Sequence, residues 1–239
     1  MSDNKRSLRF AAILCLVCSL LLTAAAAGLK GRQDRNVAID KQKNILKSVG
    51  LVEADQKYTA QAVEGMFKEK IRCVWVGPAG KIFHEPMEGK NDLLAIYLYV
   101  EKKEIEAYIV PVDSKGLWGK IFGYLAIDKD GSTIAGFTVY SHQETPGLGG
   151  EIEQAWFQKN FVGKKIVDRE SRFVSVSIAK GAAEEAASGE KLDNYVDGIS
   201  GATLTGRFLS EGIYDILAKY EPISVRFREN RVNALPNKR

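Results

Sequence analysis

The chain has 239 residues, 45% of them hydrophobic and 27% charged, which suits one well-packed domain with appendages and excludes a chain disordered throughout. Its net charge of +4 is mild and spread along the sequence, so it lacks the clustered basic face with aromatic platforms that nucleic-acid binding requires. Three cysteines, two of them inside one apolar stretch, exclude a disulfide scaffold and a zinc site built from several thiolates.

Residues 10–29 carry no charge. At about 1.5 Å per helical residue they cover about 30 Å, the thickness of a bilayer's hydrocarbon core, and predict a transmembrane helix. Lys5, Arg6 and Arg9 place residues 1–9 in the cytoplasm by the positive-inside rule. Lys30, Arg32 and Arg35 weaken that bias, although a long following domain crosses largely regardless of its charge. The small residues at 23–28 also fit the cleavage site of a signal peptide. The apolar core exceeds the roughly 7–15 residues such peptides use, which favours a retained anchor. Cys15 and Cys18 have redox-motif spacing but no βαβ context, and read as small apolar filling; Cys73 stands alone.

Residues 30–59 read as a connecting helical segment, with Val37, Ala38, Ile45, Leu46 and Val49 as a partial apolar stripe and Gly50 as a stop. A helix is predicted over 61–70, then strands over 73–76, 93–100, 104–110, 123–127 and 133–141, each rich in β-branched and aromatic residues. Asp130-Gly131 is the strongest hairpin signal. A helix follows over 150–161, with Ile152, Trp156 and Phe157 on one side, then a strand over 173–178 and a surface loop over 181–189. The last helix spans 203–220, with Leu204, Phe208, Leu209, Ile213, Ile216, Leu217 and Tyr220 facing the core. After Pro222 a basic tail, residues 223–239 with Arg226, Arg228, Arg231, Lys238 and Arg239, reads as a solvated end that touches a partner or lipid. The expected fold is α+β: a single domain over 60–222, with a mixed or antiparallel sheet and flanking helices, tethered by one N-terminal transmembrane helix.

The segment with most chemistry is Asp197-Gly198-Ile199-Ser200-Gly201-Ala202-Thr203-Leu204-Thr205. The first turn of a helix presents unpaired N–H groups and a partial positive charge, so an anion is favoured there. Gly201 lets backbone approach a phosphate, and Ser200, Thr203 and Thr205 add hydroxyls. Serine and threonine before an apolar helix are also ordinary N-caps, and the residues alone leave both readings open. Neither GxxxxGK[ST] nor GxGxxG occurs, so standard nucleotide cradles are absent, and no set of metal ligands stands out.

The run DGISGAT resembles the flavinylation signature of the FMN-binding domain family. That resemblance implies that an FMN transferase joins the phosphate of FMN to Thr203, with Asp197 and Gly198 as part of the transferase's recognition sequence. His142-Gln143-Glu144-Thr145-Pro146-Gly147-Leu148-Gly149-Gly150 resembles the loop that lies against the flavin in the same family. Its glycines and proline fix a turn; Glu144 and Thr145 then offer polar atoms to the ring's edge and Leu148 an apolar face, while His142 either tunes the flavin or only makes hydrogen bonds. Residues 116–126, beginning Gly116-Leu117-Trp118-Gly119, are similar to a segment of the C-type subunits of Na⁺-translocating NADH:quinone reductases. Trp118 is the aromatic candidate for flavin or partner contact, with a buried structural role as the alternative.

The resemblance implies the following. Covalent FMN on Thr203 relays electrons between an iron–sulfur centre and a second flavin, on the way from NADH to quinone, coupled to Na⁺ export. Ser200, Gly201, Ala202, Thr205 and Gly149 complete the cofactor-binding set, with no catalytic residue in the chain itself. The partners are the other subunits of a six-subunit membrane reductase, an FMN transferase and membrane lipid. The location is the bacterial inner membrane, single-pass, with the flavin domain in the periplasm. Alternatives are a G-type subunit of an Rnf ferredoxin:NAD⁺ oxidoreductase, and a tethered scaffold in which the Thr203 region merely caps a helix.

Overall fold

The structure is a computed structural model that describes residues 2–53, 55–86 and 92–232. Lys238 and Arg239 of the expected tail lie outside the described residues. Two units are distinguished, Met1–Asp40 and Lys41–Arg239. The described part of the first is a single helix: α1 spans Ser2–Ser48 and its last turns belong to the second unit. Every side chain over 10–29 is exposed, and α1 is long and apolar enough to cross a membrane. An apolar surface of that length left uncovered suits lipid rather than water.

The second unit begins with α2, Ala60–Lys70, whose N-cap Thr59 accepts the Ala62 N–H. Six strands follow: β1 Ile71–Val76, β2 Ile82–Phe83, β3 Leu94–Glu101, β4 Glu104–Lys115, β5 Lys120–Asp128 and β6 Ile134–Ser141. They form one antiparallel sheet in the order β2-β1-β3-β4-β5-β6. The β3–β4 turn uses Lys102 and Lys103 at φ 48° and 74°. Positive φ at both central residues matches the twist of the strands it joins. At the predicted hairpin between β5 and β6, the Asp130 carboxylate accepts the N–H groups of Ser132 and Thr133, each at 2.8 Å.

The register Tyr108↔Ile127 and Val110↔Leu125 puts these four on one face of the sheet. The helix α5, Thr203–Arg228, covers that face with buried Leu209, Ile213, Leu217, Ile223 and Phe227. Phe227 stacks on Tyr108 with ring centroids 4.6 Å apart, and the Tyr108 hydroxyl meets Ser224 Oγ at 2.6 Å. On the opposite face, Phe67 of α2, Tyr97, Tyr124 and Tyr140 form a chain of ring contacts, and the end of α1 reaches β6 where Thr138 Oγ1 donates to Asn44 O.

Four expectations change. The helix predicted over 150–161 is a 3-10 turn, Gly149–Glu153, followed by the short α3, Ala155–Lys159. Gln154 is extended between them, and the Gln158 amide donates to the carbonyls of Ile152 and Glu153 in place of helical N–H groups. The strand over 173–178 shrinks to β7, Ser177–Ile178, which pairs in parallel with β8, Tyr195–Val196; Ser175 at φ 67° breaks the extended run. The 181–189 loop contains α4, Ala183–Ala186. Finally, α5 does not stop before Pro222. Burial of Ile223 and Phe227 offsets the lost N–H bond of the proline, while Arg226 and Arg228 donate to Gly80 O and Gly131 O. Those two arginines therefore belong to the domain rather than to a solvated tail.

Candidate functional site

The three segments singled out in the sequence meet at one end of the β4–β5–β6 strands: the β4–β5 turn holding Gly116–Gly119, the loop after β6, and the start of α5. Glu144 lies at their junction, 4% exposed. Its Oε1 accepts the Trp118 N–H at 2.9 Å and its Oε2 accepts the Thr205 hydroxyl at 2.5 Å. A Cβ on Gly116 would sit 2.5 Å from Oε1, and one on Gly149 2.7 Å from Oε2 and 2.6 Å from Thr205 Oγ1. Glycine at both positions is what lets the two walls close on the carboxylate.

Glu144 was expected to offer polar atoms to a ring edge; each of its oxygens instead accepts a hydrogen bond from within the protein. Its N–H donates to His142 Nδ1 at 3.1 Å, so the His142 proton resides on Nε2, which faces Glu153 Oε2 at 3.2 Å. That is a structural hydrogen-bonding role for His142. Thr145 is exposed, and its carbonyl closes the turn by accepting the N–H groups of Leu148 and Gly150.

Thr203 is the first residue of α5 and is exposed; Ala202 before it makes no side-chain cap. The first helical bond there runs from Gly206 N–H to Ala202 O, so the N–H groups of Thr203, Leu204 and Thr205 precede the ladder. The capping alternative for Ser200 and Thr203 is thus not realised. Instead the helix opens with uncapped donors and the positive end of its dipole beside an exposed hydroxyl. Gly201, at φ 74°, turns the chain into the helix, and a Cβ there would lie 2.8 Å from Leu148 Cδ2. Thr205 differs from Thr203 in being 1% exposed with its hydroxyl given to Glu144.

The three segments carry four exposed apolar side chains, Leu117, Trp118, Leu148 and Leu204, of which Leu148 packs against Gly201. Trp118, at 68%, is not the buried tryptophan of the alternative reading. Leu204 leaves the core stripe in which the sequence had put it, because it sits five residues, about 140° of helical rotation, from Leu209. Sequence reasoning missed Gln143, whose Oε1 packs where a Gly119 side chain would be. Arg207, exposed and one helical turn beyond Thr203, pairs with Glu211 at 3.7 Å. Asp197 has a structural task as well, accepting the Ala183 N–H at 2.8 Å, and Gly198 N–H donates to Gly181 O.

An FMN group fits these residues. The uncapped helix start and Gly201 leave backbone donors for a phosphate, and the exposed apolar side chains leave a face for a ring system. The cofactor class follows: an FMN-binding domain covers residues 116–218 by family match, a span that holds all three segments.

Over nearly the whole chain the likeness is narrower. It is 34% identical to the C-type subunit of the Na⁺-translocating NADH-quinone reductase of Vibrio campbellii, over 88% of this chain and 89% of that one. It is 33% identical to the protein of the same name in Haemophilus ducreyi, over 87% of this chain and 91% of that one. The crystal structure of the same reductase component from Parabacteroides distasonis superposes with a TM-score of 0.68 at 28% identity, covering 82% of this chain and 96% of that one. That of Shewanella oneidensis NqrC, at 20% identity and a TM-score of 0.65, shares the fold over 83% of this chain and 99% of the other. The chain belongs to the NqrC family, the C-type subunits of the Na⁺-translocating NADH-quinone reductase.

Proposed function

We propose that this chain carries FMN as a phosphoester on Thr203 and relays electrons through it within a membrane-bound NADH–quinone reductase that exports Na⁺. The observation that carries the reading is the exposed Thr203 at the uncapped start of α5, a turn that Glu144 joins to the Trp118 turn. An FMN transferase recognises the run from Asp197 to Thr203. The Thr203 oxygen forms the new bond to phosphorus as the bond from that phosphorus to the leaving group of an activated flavin-nucleotide donor breaks, and the hydroxyl proton passes to the group released. Backbone N–H groups of the first turn and Arg207 then hold the phosphate, while Trp118, Leu148 and Leu204 shield the ring from water on one side. When bound, the flavin supplies one- and two-electron chemistry, and the protein's task is position and electrostatics. A covalent bond keeps the group from diffusing away during turnover.

The apolar span of α1 anchors the domain in the lipid of the inner membrane, with residues 1–9 in the cytoplasm and the flavin domain in the periplasm. The partners are the other subunits of the reductase. The test is peptide mass spectrometry after coexpression with an FMN transferase. A gain of one FMN less water on the peptide containing Thr203, absent in Thr203→Ala, supports the reading. An unmodified Thr203 under a transferase that labels a control substrate sinks it.

A further inference from the structure

Trp118 and Thr203 stand on different elements, and little packing fixes either: one ring is 68% exposed and the other side chain is also in solvent. What ties their backbones together is Glu144. One of its oxygens holds the Trp118 N–H, and the other holds the hydroxyl of Thr205, in the same first helical turn as Thr203. A carboxylate as buried as this one is costly unless its oxygens are satisfied, so both donors are retained strongly. The glycines at 116 and 149 bring the walls against it, and the Glu144–His142–Glu153 hydrogen bonds hold its own backbone.

We infer that Glu144 is the positioning residue of the flavin seat, one buried carboxylate that sets the Trp118 turn against the flavin-bearing turn of α5. The inference rests on the reading of Thr203 as the attachment point. Two effects follow from the geometry. The spacing between the two backbones that carry the aromatic ring and the attachment site is set before any cofactor arrives, which lowers the ordering cost of seating the flavin. A carboxylate in the seat also disfavours the reduced forms of a flavin held there, because the added electrons meet its charge.

The test uses the full-length protein in detergent, with Glu144→Gln, Thr205→Val and the conservative Thr205→Ser. In the flavin-free protein, the Trp118 amide exchanges with deuterium about tenfold faster or more in Glu144→Gln and Thr205→Val than in the unaltered chain, because Gln accepts that N–H without the charge and Val leaves the carboxylate without its second donor; Thr205→Ser keeps the slow rate. In protein loaded by a coexpressed transferase, Glu144→Gln raises the flavin midpoint potential, whereas Thr205→Ser leaves it in place. Unchanged exchange at Trp118 in both Glu144→Gln and Thr205→Val overturns the inference, as does an unmoved potential in loaded Glu144→Gln. The exchange arm needs no flavin, so failure of Thr203 to accept FMN is read separately from the mass of the unaltered protein.

Discussion

The Thr205 hydroxyl donates to the buried carboxylate of Glu144 at 2.5 Å, across 61 residues of sequence. It joins the start of the longest domain helix to the loop beyond β6, and the two hydroxyls of one helical turn thereby become chemically distinct. Thr205 is spent on structure, whereas the Thr203 side chain stays exposed.

Gly149 is the wall of that contact. Gly149→Ala puts a methyl group within 2.7 Å of the Glu144 and Thr205 oxygens. The expected loss is about 1–3 kcal/mol of unfolding free energy, from overpacking and a displaced hydrogen bond. Urea titration of the purified chain reads it, and a loss below about 0.5 kcal/mol, the scatter of ordinary surface changes, contradicts the close approach.

Gly201 carries a backbone requirement instead. At φ 74° an alanine is strained, and its Cβ also meets Leu148; together these cost about 1–2 kcal/mol. Because the strain sits two residues before Thr203, Gly201→Ala also lowers the fraction of chains modified there, as intact mass after coexpression will show.

Trp118 behaves in the opposite way. Its ring is mostly in solvent, so Trp118→Ala leaves stability within about 0.5 kcal/mol. Since its backbone is held by Glu144, which also holds Thr205, and the ring contributes to the proposed seat, the same change alters the visible circular dichroism of loaded protein. An unaltered spectrum would remove Trp118 from the flavin's surroundings.

The end of α5 is core. Phe227 is 2% exposed and stacked on Tyr108, so Phe227→Ala costs about 3 kcal/mol or more. A chain ending at Pro222 is destabilised at least as much, which thermal melts of the two variants will show.

Alkaline pH tests the opposite edge of the helix. Burial, and after it the charge of Tyr97, push the Tyr220 hydroxyl up from 10.0 to about 12. The folded chain thus keeps a proton that the unfolded chain gives up. Stability from this group is whole below pH 10 and falls as pH rises towards about 12, by at most about 1.4 kcal/mol per pH unit. Tyr220→Phe loses the hydrogen bond to Ala95 O but flattens this slope in denaturant titrations between pH 9 and 12.

Much of the molecule was written locally. The apolar run over 10–29, the alternating strands and the stripe Leu209–Ile213–Leu217 each satisfy a nearest-neighbour rule, because helix and strand periods repeat within a few residues. The phosphate-favouring run over 197–205 and the Gly-Pro turn over 142–150 were legible for the same reason. The passage of α5 through Pro222 was not. There local propensity says stop, and the gain from seating Ile223 and Phe227 on the sheet exists only once the sheet has formed.

The site divides along the same line. By itself the sequence determined which residue types are available: hydroxyls and glycines before a helix, a carboxylate in a turn, a tryptophan in another. Only the tertiary structure decided that Glu144 turns inward to Trp118 and Thr205, that Leu204 leaves the core, and that Thr203 stays exposed. Those outcomes depend on groups brought together from 26 and 61 positions away in the chain. A buried charge must find its donors wherever the fold supplies them, and no local pattern records where that is.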